Sequence, residues 1–125
     1  KLALDSRCSL VHGDFFKLAG SSGSLDPDNS CRLFHAVLLD IDHSPSHWLD
    51  TGNSAFYTDS GLTALAASLH PGGVFGLWSN DPPDEAFVSL LGEVFASAKF
   101  HLVTFANPYT GGESSNTIYL ACKAG

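Results

Sequence analysis

Methionine is absent from all 125 residues, and the chain opens on Lys1. Initiator Met is removed mainly before small residues, so a chain trimmed at its start is expected. Basic residues are scarce, six Lys and Arg against thirteen Asp and Glu, for a formal charge of −7. Nucleic acids and anionic membrane surfaces both require clustered cations, so neither is expected as a partner. An acidic surface suits ordinary solubility and, as a second reading, cationic small molecules such as polyamines. The three cysteines, Cys8, Cys31 and Cys122, are far apart and form no CxxC pair. That spacing excludes a zinc knuckle and a thioredoxin-type motif, leaving buried, reduced thiols in a cytoplasmic protein as the expectation. No apolar run approaches the roughly 20 residues of a membrane span, and the first residues do not read as a secretory signal. GxGxxG, GxxxxGK[ST] and GxSxG are all missing, which removes the dinucleotide loop, the P-loop and the nucleophile elbow.

What is present is a core-forming fraction of apolar residues, 44%, in a length that suits one domain. Residues 7 to 12 read as a short strand ending at Gly13-Asp14, and Phe15 to Ala19 as a turn of helix. Residues 20 to 32 are rich in Gly, Ser, Asp and Asn, hence a loop. His35 to Asp40 is an apolar run ending in an acid, the pattern of a parallel strand buried on both faces. A long loop, 41 to 57, precedes a helix over 59 to 69. Thr58 is its N-cap and Leu62, Leu65, Ala66 and Leu69 form its stripe, ended by His70-Pro71-Gly72-Gly73. Val74 to Ser79 is the next strand. A helix over 84 to 98 then follows, with Asp81 as N-cap, Pro82 at the first helical position and Phe87, Leu90, Leu91, Val94, Phe95 and Ala98 as its stripe. Trp78, Phe87 and Phe95 are expected in the core. Strands at 101 to 106 and 117 to 122 flank a connection too short for a crossover helix, so they should be antiparallel. The whole is an α/β pattern with an antiparallel final strand.

That order resembles the second half of a class I S-adenosylmethionine-dependent methyltransferase fold, which is Rossmann-like with a mostly parallel sheet, a C-terminal antiparallel hairpin and flanking helices. Val11-His12-Gly13-Asp14-Phe15 resembles the strand-Gly-Asp signature whose Asp accepts from the adenine amino group. Ala36-Val37-Leu38-Leu39-Asp40 resembles the strand whose final Asp faces the transferable group. Leu69-His70-Pro71-Gly72-Gly73-Val74 resembles the turn before the next strand. A narrower resemblance, over nearly all of residues 5 to 123, is to bacterial spermidine-synthase-like proteins. It rests on Leu39-Asp40-Ile41-Asp42, Pro45, Trp48-Leu49, Gly52-Asn53, Phe56-Tyr57-Thr58, Gly61-Leu62 and Leu77-Trp78-Ser79. Spermidine synthases carry Asp-Ser-Ser-Asp-Pro after this strand, whereas here the first Asp is Asp40 and the second position falls on His43. The Gln that family places near the end of the following strand is replaced by Trp78.

The resemblance implies that residues 1–125 form the C-terminal half of one domain whose Gly-rich cofactor half lies elsewhere. It implies a transferase that moves a methyl or aminopropyl group from S-adenosylmethionine, or its decarboxylated form, to a small amine acceptor. Asp40 would serve acid–base catalysis, Asp14 cofactor binding, and Asp42 and Trp48 the acceptor pocket. An unpaired apolar edge at 35 to 40 would favour a homodimer or another covering partner. The alternative is a non-catalytic binding or dimerisation module. Asp40-x-Asp42-His43-x-x-x-His47 also contains metal-ligand residue types, but a loop imposes no shared face on them, so no metal is expected.

Overall fold

The computed structural model describes residues 4–125. In chain order it contains α1 (Phe15–Leu18), β1 (Phe34–Leu39), a 3-10 helix (Thr51–Tyr57), α2 (Asp59–Ala66) and β2 (Leu69–Ser79). α3 (Glu85–Val94), β3 (Ser97–Asn107) and β4 (Gly112–Cys122) complete it. One four-stranded sheet runs β1-β2-β4-β3. β1 and β2 are parallel, while β4 is antiparallel to both β2 and β3. The mixed α/β class is as expected, but the described sheet is not mostly parallel: it has one parallel pair. No helix among the described residues is long and apolar enough to cross a membrane.

Residues 7 to 12 are irregular and not a strand. A strand exists only by pairing its N–H and C=O groups, and no described strand pairs with this segment. The hairpin of β3 and β4, by contrast, is longer than expected. The pairing continues to Asn107↔Gly112, and Gly111 adopts φ +72°, the left-handed conformation that lets so short a turn close. β2 likewise begins at Leu69, so the segment 69 to 73 expected to end a helix instead opens a strand. The register shifts between Phe34↔Leu69 and Ala36↔Val74, where β2 carries more residues than β1, as at a bulge.

α2 starts where the sequence indicates. The Thr58 hydroxyl accepts from the Gly61 amide, satisfying one of the free donors of the first turn. The cap of α3 is not Asp81 but Asp84, whose carboxylate accepts from the Phe87 amide at 3.1 Å. Pro82 therefore precedes the helix. Asp81 fails as the cap because its carboxylate faces two histidines, described below.

Both α2 and α3 cover one face of the sheet. Leu62, Leu65, Phe87 and Leu91 from the helices meet Val37, Leu39, Phe75, Leu77 and Tyr119 from the strands, and all of these are buried. Aromatic rings stitch this layer together: Phe87 meets Tyr119 edge-on at 5.0 Å, and Phe75 stacks with Phe95 at 6.1 Å. α1 joins the same cluster through Phe16 and Phe56, 5.5 Å apart. Phe87 and Phe95 are thus core residues, but Trp78 is not. It points to the opposite face and is 38% exposed. Alternation within a strand fixes which residues share a face, and no helix of the described residues lies on the second face. Leu38, 79% exposed, lies on that bare face with Trp78, Ile118 and Leu120. The cysteines are all free, and Cys31 is exposed, contrary to the expected burial.

Candidate functional site

Parallel pairing of β1 with β2 puts the ends of both strands on one edge, the edge at which open α/β sheets hold ligands. Asp40 immediately follows β1 and is exposed; among the described residues no donor is bonded to it. It borders a groove of about 330 Å³ on the bare face, lined by Leu38, Gly76, Trp78, Ile118 and Leu120. Gly76 lies in the floor of this groove, where a Cβ would come within 2.9 Å of the tip of the exposed Leu38 side chain and displace it. A free carboxylate at the rim of an apolar groove can hold a cation by a charge-assisted hydrogen bond or take a proton from it.

The other expected site residues are placed differently. Asp42 is only 4% exposed. One of its oxygens accepts from the Leu49 amide at 2.7 Å and the Asn53 side chain at 3.0 Å; the other accepts from the Tyr57 hydroxyl at 2.8 Å. Asp42 thereby organises the 41–57 loop from within. Burial first, and then the hydrogen bond and charge of Asp42, push the Tyr57 phenol well above its ordinary range. Trp48 is exposed, and its indole N–H donates to the Pro45 carbonyl at 2.7 Å, which fixes the turn. Asp14 caps α1 by accepting from the Phe16 amide at 3.0 Å, and it is not among the residues lining the groove of Asp40.

Sequence reasoning missed the partner of the two loop histidines. Asp81, just past β2, receives His43 Nε2 on one oxygen at 3.0 Å and His47 Nδ1 on the other at 2.5 Å. His43 Nδ1 faces the Asn80 amide nitrogen at 3.3 Å. An amide NH₂ can only donate, so His43 accepts at Nδ1 and donates from Nε2. His47 donates from Nδ1 to the carboxylate. The Ser44 hydroxyl, opposed by burial and joined by His47, holds the Asp81 carboxyl below the ordinary carboxylate range. The pairs lie 38 and 34 residues apart in sequence, so no local pattern could reveal them.

This is not a serine triad: Ser44 is buried and lies 3.1 Å from the same Nδ1 that meets Asp81, and a triad needs the two opposite ring nitrogens. Among the described residues no group of three or more His, Cys, Asp or Glu is disposed to hold a metal ion. No protein-family model and no curated protein matches the chain.

Proposed function

We propose that this chain is the acceptor side of a spermidine-synthase-like transferase that uses S-adenosylmethionine or its decarboxylated form. In this proposal Asp40 receives a small amine at the strand edge. The Rossmann-like half-domain belongs to the same proposal. The observation that carries it is the sheet itself. From β1 onward, its parallel pair β1-β2, the helices between β1 and β2 and between β2 and β3, and its closing antiparallel hairpin follow the element order on which the resemblance rests; the strand expected over residues 7 to 12 is not part of it. Asp40 ends the strand whose terminal acid faces the transferable group in that family, and the groove beside it is open and apolar.

A sulfonium donor is already activated, so the protein supplies position and removal of the acceptor's proton. Asp14 as an adenine contact remains part of the proposal at its α1 position. Asp42 acts through the loop it organises, with Trp48 at that loop's outer surface. The Gly-rich cofactor loop is supplied by another part of the assembled protein. The experiment is transfer of a methyl or aminopropyl group to putrescine, followed by mass spectrometry, in a protein that combines this chain with such a loop. Turnover that falls on replacing Asp40 supports the reading. Tight binding of the donor without turnover favours the non-catalytic module.

A further inference from the structure

The clasp around Asp81 leaves one group with nothing to do. With Nδ1–H of His47 turned to the carboxylate, Nε2 carries a lone pair and has no partner among the described residues, and the side chain is 67% exposed. The group is also held still from several sides. Ser44 and His47 exchange backbone hydrogen bonds, and the Ser44 Oγ accepts from the His47 amide at 3.1 Å. The Asp81 amide donates to Ser79 Oγ at 3.2 Å, and the Asp81 carbonyl accepts from Thr117 Oγ1 at 2.8 Å. The Asn80 amide donates to the His43 carbonyl at 2.8 Å, tying the loop after β1 to the loop after β2. Such support is what a reactive group needs and a solvated surface ion pair lacks.

We propose that Asp81 and His47 form a general-base dyad at the strand edge, with His47 Nε2 as the base and Asp81 as its positioning residue. The proposal rests on the transferase reading for its substrate, an alkylammonium acceptor. Nε2 takes one proton from the ammonium, and the imidazolium so formed is stabilised by the Asp81 carboxylate. The freed nitrogen lone pair makes the new N–C bond while the C–S bond of the sulfonium breaks, its electron pair passing to sulfur to leave a neutral thioether. His43, fixed as the Nε2–H tautomer, holds the far oxygen of Asp81 and takes no proton.

The test needs no donor, so its failure is distinct from failure of the transferase reading. Diethyl pyrocarbonate acylates the imidazole lone pair; attack through Nε2 of His47 expels the carbonate leaving group, and the Nδ1 proton is lost toward Asp81. At pH 8, residue-resolved mass spectrometry should show His47 reacting on the order of tenfold faster than His101, an exposed imidazole on β3. His43 should react slowest of the three. Asp81→Asn should bring His47 to the rate of His101. Nitrogen NMR of the unmodified chain should show His47 as the Nδ1–H tautomer and His43 as the Nε2–H tautomer. A His47 rate equal to that of His101 in the unmodified chain, or a His47 with its proton on Nε2, would overturn the dyad.

Discussion

Asp42 and Asp81 are both loop carboxylates, yet the structure gives them opposite duties. Asp42 satisfies three donors inside the fold, so Asp42→Ala should leave those donors unpaired and cost about 2–3 kcal/mol. Tyr57→Phe removes one of the three and should cost about 1–2 kcal/mol. Urea unfolding at neutral pH measures both. Tyr57 also sets an alkaline limit. Its phenol is raised in the folded state, so its contribution is complete below the ordinary tyrosine value of 10.0 and fades as pH rises above it. Tyr57→Phe should flatten that alkaline decline. Asp81 has the reverse sign. Its folded value is depressed, so its contribution holds above the ordinary 3.8 and is lost as pH falls through the folded value. Asp81→Asn should therefore flatten the acid limb and leave the alkaline limb unchanged; an unaltered acid limb would show that the clasp does not hold Asp81 in solution.

At the level of elements, the caps separate what local sequence decides from what tertiary contact decides. Asp84→Ala should cost about 1 kcal/mol through the N-terminus of α3, and Thr58→Ala a similar amount at α2. Asp81→Ala should leave the helicity of α3 unchanged by circular dichroism. The stripe and cap of α2 were legible because a helix satisfies its backbone within its own turns. The cap of α3 is not legible in the same way, because Asp81 and Asp84 are equally good caps by local sequence, and the histidines more than thirty residues away engage only Asp81. Residues 7 to 12 carry strand chemistry but no described partner, and a strand is a property of pairs. Trp78 reads as a core residue in the sequence for a related reason. Alternation shows that it opposes Leu77, but not which face the helices cover. Asp40 at a strand end could be read directly, since an apolar run closing on an acid marks a sheet edge.

For the whole molecule, the uneven covering of the sheet is the dominant physical fact. One face is packed under α2 and α3, while the other shows Leu38, Trp78, Ile118 and Leu120 around a groove. β1 is also a terminal strand, so its outer backbone groups have no ladder partner among the described residues. An apolar edge beside an apolar face invites association, and the chain by itself should form dimers or larger species at high micromolar concentration. Sedimentation velocity checks this, and Leu38→Lys should shift the distribution toward monomer; a monomeric wild-type chain with freely exchanging β1 amides would contradict it. The same edge presents Asp40, on which the transferase reading depends. The most direct measurement is transfer of the sulfonium-borne group to an amine by the protein assembled with its cofactor loop, wild type against Asp40→Asn. A loss of turnover on the order of 10²-fold, with folding unchanged, is expected on neutralising the carboxylate that positions the acceptor. Equal turnover of the two proteins would contradict the role of Asp40, and absence of transfer by the wild type would contradict the transferase itself.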